Sequence, residues 1–467
     1  MVKYCLILLV GGLLGVSFPV LATLDTTRTT VVRKLILEGN QRTKDRIILR
    51  ELALREGDTV RIADLPDRME MDRRKVVNTN LFVTVNYESR FLEDSSQVDL
   101  YLQMKERWYI FGLPVFELAD RNFNEWWYDR NRDLSRITYG AYITHNNISG
   151  NNDRLRLLIE LGFLPKYELS YSMPYVDKNM KVGISGGLSY ITNKSLAVRT
   201  WDDKLDFMPS ESITRRRFYF YIAPSYRSKF YGFHVLDFRW VNTTIADTVL
   251  TINPNYMEGS DTRQRYFQLT YTYSYNKKDI GQYPLRGYHL LFQASKRGVL
   301  PSDDINQAYL YGIYRHYFPL GGRWFFNSGV RFRAAFPSKT PYANMVGLGY
   351  RFDLVRGYEL YVIDGQHYGI FQNELKFRLF ETEKVIKWLP RQFSTIPMAL
   401  YINTYADAGY IHNRYPEWSN SRLGNKFLGG VGIGLDFVTF YNLVYRLNYN
   451  YIREGEGRLF FSVAREF

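Results

Sequence analysis

Among the residues that could do chemistry, an arginine followed by a glycine lies between apolar and aromatic neighbours in the segment DLVRGYEL, residues 353–360. Arginine stays charged throughout the usable pH range, and its planar guanidinium can bond two acceptors at once. Carboxylates that could accept these bonds follow at Glu374 and Asp407. Gly357 permits the tight turn that a folded-in loop would need. The residues alone leave two interpretations open: an arginine held by carboxylates, or a solvated loop with an incidental arginine.

Patterns typical of catalysis are present but lack their structural context. Gly183–Gly187 fits G-x-S-x-G, yet it lies inside the alternating stretch KVGISGGLSYIT and not at a strand-to-helix elbow, which argues against Ser185 as a nucleophile. Gly430–Gly434 lacks the spacing of a phosphate-binding loop, so a glycine face along a strand is expected. The six histidines show no metal-ligand spacing. We therefore expect no catalytic residue, no metal and no cofactor.

The composition favours strands that have one apolar and one polar face. Aromatic residues make up 17% of the chain, yet the mean hydropathy is −0.31. The formal net charge is +14, but acids are interspersed among the basic residues, which disfavours nucleic acid as a partner. The single cysteine, Cys5, excludes disulfides within the chain and metal sites built on several cysteines.

The first residues are typical of export. Residues 1–22 combine Lys3, a following apolar run and a small-residue cleavage site at Val20-Leu21-Ala22, which predicts a signal peptide. After Ala22 the chain has no apolar run of about 18 residues, so no transmembrane helix is predicted. Two classes remain: a soluble β protein and a transmembrane β-barrel.

Residues 28–106 predict a small α+β domain. A strand in VRKLILEGN is followed by a helix in TKDRIILRELAL, for which Thr43 is a plausible N-cap. A second amphipathic helix in LPDRMEMDRRKVVNTN and a strand pair in LFVTVNYESR and QVDLYLQMKER complete the order β-α-α-β-β. This length is close to the minimum for a self-supporting domain.

Residues 108–467 alternate apolar and polar side chains with a period of two. In YFQLTYTYSYN one face carries Phe267, Leu269, Tyr271, Tyr273 and Tyr275, while Gln268, Thr270, Thr272 and Ser274 share the other. At ~10 residues per strand with turns of comparable length, this region holds about 16 antiparallel strands. A soluble sandwich would need a dry core on the face that here carries charged and amide side chains. The fold class predicted is therefore an all-β transmembrane barrel preceded by one small α+β domain.

Several motifs occur together in one order along the chain. The first domain has ILEGNQRTKDRIILRELALREGD followed by NLFVTVN, and the barrel has YPLRGYHL, VRGYE and YADAG before an aromatic end at Phe467. In this order the chain resembles the outer-membrane assembly and secretion superfamily that includes BamA, TamA and FhaC. Its members join periplasmic polypeptide-transport-associated (POTRA) domains to a 16-stranded barrel. The residues that match the POTRA pattern are Gly39, Asn40, Thr43, Gly57, Phe82 and Val85.

The resemblance implies that the loop before the Glu374 strand folds back inside the barrel and docks Arg356 near Asp407. We call this group the loop latch; its members are Val355, Arg356, Gly357, Tyr358, Glu374, Asp407 and Gly409. In FQNELKFRLF the charged face should point inward, because charges that face lipid are costly. The expected terminal signal for barrel assembly is Phe461, Val463 and Phe467.

The function that the resemblance implies is insertion or translocation of outer-membrane proteins, without a catalytic residue. The first strand, near residues 108–118, and the last, residues 459–467, should meet at a seam that can open and pair with incoming strands. Expected partners are unfolded outer-membrane proteins or a secreted client, periplasmic or lipoprotein subunits, and outer-membrane lipid. A single POTRA domain departs from the several in the main assembly proteins. A secretion pore for one partner protein and an outer-membrane lipase remain the alternatives.

Overall fold

A computed structural model gives the arrangement of most of the chain. It describes residues 28–93, 95–177, 179–229, 231–280, 283–350, 352–385, 395–439 and 443–464. The predicted signal peptide, residues 1–22, and the predicted terminal aromatic, Phe467, lie outside this part. The described residues from 28 to Arg107 form one compact unit, and those from Trp108 to 464 form a second. No helix in the described part is long and apolar enough to span a membrane.

The first unit is a four-stranded sheet with two helices. Its elements are β1 (Thr29–Glu38), α1 (Asp45–Leu49), β2 (Thr59–Arg61), α2 (Leu65–Asn78), β3 (Phe82–Phe91) and β4 (Gln97–Glu106). The strand order is β2-β1-β4-β3, with β1 parallel to β4 and the other pairs antiparallel. Leu65 and Met69 of α2 pack against Val98 and Leu100 of β4 in a buried cluster. This cluster is the hydrophobic core of the unit.

Two details of the first unit differ from the sequence prediction. The strand β2 was not predicted, because three residues are too few to show a period of two. Thr43 is not the N-cap of α1: Lys44 occupies that position, and its side chain makes no capping bond. Thr43 is buried, and its main-chain amide donates to Glu106 Oε1 at 2.6 Å. The threonine therefore helps to join the loop before α1 to the end of β4.

The other POTRA-motif residues lie where the backbone or the core constrains them. Gly39 has φ +88°, and a Cβ there would lie 1.8 Å from the carbonyl oxygen of Met104. Asn40 Nδ2 donates to the carbonyl oxygen of Thr43 at 2.9 Å. The amide of Gly57 donates to the Val32 carbonyl at 2.8 Å. The remaining two motif residues, Phe82 and Val85, are buried.

The second unit is one antiparallel sheet of sixteen strands that forms the barrel wall. Its strands are β5 (Ile110–Leu118), β6 (Ile137–Asn146), β7 (Arg154–Gly162), β8 (Lys166–Met173), β9 (Val182–Asn193), β12 (Arg215–Lys229), β13 (Gly232–Ile245), β14 (Arg263–Asn276), β15 (Gly287–Arg297), β16 (Gln307–Gly321), β17 (Trp324–Phe336), β18 (His367–Val385), β19 (Thr395–His412), β20 (Phe427–Thr439), β21 (Leu443–Ile452) and β22 (Gly457–Ala464). Each strand pairs with its neighbours in chain order, and β5 and β22 are the two ends.

The connections contain α3 (Phe123–Tyr128), the hairpin of β10 (Leu196–Trp201) with β11 (Lys204–Met208), and α4 (Asp247–Ile252). Because antiparallel neighbours alternate in direction, the connections that contain these elements all emerge at one end of the barrel. Residues 337–366, between β17 and β18, emerge there too. We call this the loop end and the opposite end the turn end.

The two faces of the wall differ as the alternation predicted. Large apolar side chains such as Phe220, Phe292 and Phe371 remain exposed on the outer face. On β18 the alternate residues Glu374 and Lys376 face inward and are largely shielded from solvent. Apolar-out and polar-in alternation suits a wall between lipid and a wet lumen. The predicted fold class, a 16-stranded barrel after a small α+β domain, is confirmed.

Candidate functional site

The loop at residues 337–366 returns inside the barrel and places Arg356 against the inner wall. Arg356 Nε and Nη2 donate to Asp407 Oδ2 and Oδ1 at 2.8 and 2.6 Å, which is a bidentate pair. Its Nη2 also donates to the Asn373 carbonyl at 3.2 Å, and its Nη1 lies 3.5 Å from Glu374 Oε1. The guanidinium carbon lies 3.8 Å from the ring centroid of Tyr405. The arginine is thus held by two carboxylates, one carbonyl and one aromatic face.

The backbone of the loop latch fits into space that glycines leave open. A Cβ at Gly409 would lie 2.5 Å from Val355 Cγ2, and a Cβ at Gly430 would lie 2.0 Å from the carbonyl oxygen of Arg356. Gly357 has φ +103°, a backbone conformation that residues other than glycine rarely adopt. Gly430 belongs to the glycine face predicted at residues 430–434. Because it has no side chain, the backbone of the loop can pack directly against the wall there.

Apolar packing surrounds the ion pair on the loop side. Val355 and Tyr358 are almost fully buried and belong to one cluster with Ile370, Ile411 and Leu428 of the wall strands. The Tyr358 hydroxyl donates to Glu454, in the connection between β21 and β22. The loop latch therefore contacts β18, β19, β20 and the turn that leads into the last strand.

Charged side chains continue from the loop latch toward the turn end. Lys376 Nζ lies 3.5 Å from Glu374 Oε2 and 4.0 Å from Asp436 Oδ2. Asp436 has no exposed side-chain surface and accepts a hydrogen bond from the Tyr283 hydroxyl at 2.7 Å. Tyr283 lies in the YPLRGYHL turn between β14 and β15, so this turn also inserts a side chain into the lumen. One chain of contacts joins Arg356 to Tyr283.

The loop at residues 337–366 also contacts the connection between β5 and β6. Arg121 Nη1 donates to the carbonyl oxygens of Gly349 and Tyr361 at 2.5 and 3.2 Å. Asn122 Nδ2 donates to the Glu359 carbonyl at 2.9 Å. Arg121 Nε pairs with Glu125 of α3 at 2.7 Å, so the same arginine positions that helix.

The helix α3 covers the edge of β22 that pairs with no strand in the described part of the chain. Asn124 Nδ2 donates to the Phe461 carbonyl at 3.1 Å, and the Phe461 amide donates to Asn124 Oδ1 at 3.0 Å. The Tyr128 hydroxyl donates to the Leu459 carbonyl at 3.1 Å. The Phe123 and Phe461 rings meet edge to face with centroids 5.5 Å apart. A side-chain amide thus makes, on β22, the two bonds that a neighbouring strand would make.

The remaining predicted site residues lie apart from the loop latch. Phe461 and Val463 are in β22, whereas Phe467 lies outside the described residues. Ser185 is in β9, where its hydroxyl donates to the Ala223 carbonyl at 3.3 Å. Among the described residues, no cluster of three or more His, Cys, Asp or Glu could hold a metal ion.

Comparison with known proteins gives the same architecture. A family model, the Omp85 superfamily domain, matches residues 147–439, which is more than half of the chain. The solved structure of BamA from Haemophilus ducreyi lacking POTRA domains 1–3 is 17% identical with a TM-score of 0.60, covering 93% of this chain and 85% of that one. CdiB from Escherichia coli is 13% identical with a TM-score of 0.52, covering 93% and 76%. No curated protein matches the sequence. At these identities the solved structures establish the fold.

Proposed function

The chain belongs to the Omp85 superfamily, and from this premise we propose that it inserts proteins into the outer membrane through the seam between β5 and β22. Members of the superfamily assemble or translocate proteins and do so without enzymatic chemistry. The barrel lies in the bacterial outer membrane, and the POTRA domain lies in the periplasm. The start of β5 follows the POTRA domain directly in the chain, so this end of the strand faces the periplasm. The loop end is the opposite end of the barrel and therefore faces outward from the cell.

One observation carries the proposal: the edge of β22 is held by the side chain of Asn124 in place of a strand. A strand edge with main-chain groups that lack a permanent strand partner is a template for another chain. Displacing α3 exposes the amide and carbonyl of Phe461, and an incoming strand can pair with them through its own backbone. The client is recognised by backbone pairing, so its sequence can vary.

The loop latch and α3 act together in this mechanism. Arg121 bonds both the inserted loop and Glu125 of α3, and Tyr358 bonds the turn before β22. The docked loop therefore supports the closed seam from both of its sides. The inserted loop also occupies space inside the barrel, which favours a lateral route over a dedicated secretion pore.

The POTRA domain offers a second pairing edge on the periplasmic side. In the strand order β2-β1-β4-β3, the ten-residue β3 is the long edge strand, whereas β2 has three residues. A client segment or a partner subunit can add to β3 as a further strand. Delivery along β3 followed by pairing at β22 gives a route from the periplasm into the membrane.

The proposal is tested by locking α3 onto the last strand. A cysteine pair, Phe123→Cys with Phe461→Cys, replaces two rings that touch in the closed seam. Cells that are depleted of the unaltered protein and carry this variant should lose outer-membrane barrel proteins under oxidising conditions. They should regain these proteins when a reductant is added. The matched control is Ile433→Cys with Tyr449→Cys, a pair of facing residues on β20 and β21 that lie away from the seam.

Full assembly activity with a completely oxidised seam pair would overturn the lateral route. Unchanged abundance of every outer-membrane barrel protein after depletion, together with loss of one secreted protein, would instead support a secretion pore. Loss of phospholipid hydrolysis in Ser185→Ala would support the lipase alternative.

A further inference from the structure

A cavity of about 390 Å³ lies between the inserted loop and the opposite wall of the barrel. The wall contributes Arg217 from β12, Tyr266 from β14 and Arg297 from β15, and the loop contributes Asn344 and Asp353 among others. This part of the lumen is separate from the loop latch, which lies against β18 and β19.

The guanidinium groups around this cavity carry N–H groups that donate to no acceptor in the described part of the chain. Nε of Arg217 and Nε of Arg297 are both buried without a hydrogen-bond partner in the described chain. Arg297 Nη1 donates to Gln307 Oε1 at 2.8 Å and to the Asn344 carbonyl at 3.3 Å, which leaves its Nε–Nη2 edge for another acceptor. That edge is the one with which arginine binds an oxyanion through two parallel bonds.

A third arginine lies beside Arg297 and is more deeply buried. Arg333 of β17 is 8% exposed, and its Nε and Nη2 have no partner among the described residues. Its guanidinium carbon lies 4.2 Å from the ring centroid of Tyr309, and that of Arg297 lies 5.4 Å from the same ring. Arg297 and Arg333 therefore flank one aromatic side chain.

The carboxylate that lines the cavity does not balance these charges. Asp353 accepts hydrogen bonds from the hydroxyls of Tyr311 and Tyr368 at 2.9 and 2.8 Å, and it pairs with Arg331 at 2.9 Å. Arg331 neutralises Asp353, so the charges of Arg217, Arg297 and Arg333 stay uncompensated by the lining. Buried charges of this kind are costly unless an opposite charge accompanies them.

We propose that this cavity binds a dianionic tetrahedral oxyanion, a phosphate group in biological terms, through Arg217 and Arg297, with Arg333 beside Arg297 adding positive charge. A phosphate offers several acceptor oxygens and nearly two negative charges at neutral pH, which suits three guanidinium groups better than a carboxylate with one charge. A phosphomonoester on a small headgroup fits a cavity of this volume as well as the free ion does.

The test uses the full chain purified in detergent, with inorganic phosphate as the probe. Phosphate should raise the unfolding midpoint more than acetate or chloride at equal ionic strength, because a ligand that binds the folded state stabilises it. In Arg217→Gln with Arg297→Gln, phosphate affinity should fall by at least about tenfold for each arginine removed. The matched control for each single replacement is Arg216→Gln, which also removes one positive charge but at an exposed position next to Arg217 in β12.

Arg333→Gln is an independent variant, and without phosphate it should fold at least as well as the unaltered protein because it removes an unpaired buried charge. A second arm places the barrel in phosphatidylcholine bilayers with or without phosphatidic acid. If the lipid phosphate reaches the cavity, phosphatidic acid should compete with inorganic phosphate; if it does not compete, the ligand is soluble. Stabilisation by phosphate no greater than by acetate would overturn the proposal. So would equal phosphate affinity in the double variant and in Arg216→Gln.

Discussion

Arg356 and Asp407 are joined by three hydrogen bonds, from the main-chain amide, Nε and Nη2 of the arginine at 3.1, 2.8 and 2.6 Å. The Asp407 side chain has no exposed surface. A buried carboxylate with this many donors fixes both the side chain and the backbone of the loop that carries them. The pair therefore sets where the inserted loop sits against β18 and β19, and the contacts to α3 and to the turn before β22 follow from that position.

Replacing the arginine with lysine should destabilise the barrel although the charge is kept. In Arg356→Lys a single ammonium replaces the fork, so it cannot make the bidentate bonds and also reach the Asn373 carbonyl. Breaking a buried pair of this kind costs about 3–5 kcal/mol, and the retained charge should reduce the loss to about 2 kcal/mol. Equilibrium unfolding in urea, followed by the heat-modified shift in gel mobility, measures this loss.

The control for this change is Arg263→Lys, an exposed arginine at the loop end. It should leave stability within about 0.5 kcal/mol of the unaltered protein. Equal stability of Arg356→Lys and Arg263→Lys would mean that the bidentate geometry has no structural role.

Closing the space at Gly430 should displace the loop without touching the ion pair. In Gly430→Ala the new methyl group would lie 2.0 Å from the carbonyl oxygen of Arg356, a backbone atom that cannot rotate away. Overpacking of this kind costs about 1–3 kcal/mol. Limited proteolysis of the inserted loop should become faster, and the unfolding midpoint should fall.

The matched variant is Gly369→Ala on β18, where a Cβ would have no atom within 4 Å. It introduces the same methyl group into a neighbouring part of the wall and should have little effect. Equal proteolysis rates in the two variants would show that the loop does not need the space at Gly430.

The strands of the barrel could be predicted because their signal is local. Alternation along β18 separates Glu374 and Lys376 from their apolar neighbours, and it assigns the charged face to the lumen since lipid would penalise it. The placement of Arg356 beside Asp407 came from the family resemblance, since the residues alone left a solvated loop equally open. The structure places the two side chains in contact.

Contacts outside the repeating pattern could not be predicted. Asn124 lies in a six-residue helix within a connection, and its partner Phe461 is 337 residues away. Tyr283 and Asp436 are 153 residues apart in the sequence. Residue spacing therefore does not predict which carboxylate accepts the hydrogen bond from the Tyr283 hydroxyl. Residue type alone indicates Thr43 as an N-cap, but Lys44 occupies that position, and the main-chain amide of Thr43 is bound to Glu106.

The charged contacts between the loop latch and the turn end should couple energetically. In Tyr283→Phe the buried Asp436 loses a donor at 2.7 Å, which should cost about 1–3 kcal/mol. Asp436 and Arg356 are linked through Lys376 and Glu374, so a double-mutant cycle of Tyr283→Phe with Arg356→Lys should give an interaction energy above about 0.5 kcal/mol.

The comparison cycle pairs Arg356→Lys with Tyr171→Phe. The Tyr171 hydroxyl also donates to an aspartate, Asp153 Oδ2 at 2.6 Å, but on β8 and outside this chain of contacts. That cycle should be additive within about 0.3–0.5 kcal/mol. Additivity in both cycles would show that the two ends of the lumen are independent.

The contacts at the loop end should strengthen as the pH falls below neutrality. Burial raises the pKa of Asp364 to about 6, against the lowering effect of the hydroxyls of Tyr350 and Thr200 that bond it, and negative Asp203 raises it further. The folded state thus holds the Asp364 proton more tightly than the unfolded chain does. Stability from this group is full below about pH 4 and is lost as the pH rises through about 6, by up to about 3 kcal/mol.

Asp364→Asn removes this titration and keeps a carbonyl oxygen that can accept the two hydroxyls. The unfolding free energy of the unaltered protein minus that of Asp364→Asn should therefore be larger at pH 5 than at pH 7.5. The exposed Asp261 at the same end of the barrel supplies the control variant, Asp261→Asn, whose difference should stay constant over this range. A difference for Asp364→Asn that is constant, or that grows as the pH rises, would contradict the assignment of this titration to the buried carboxyl group.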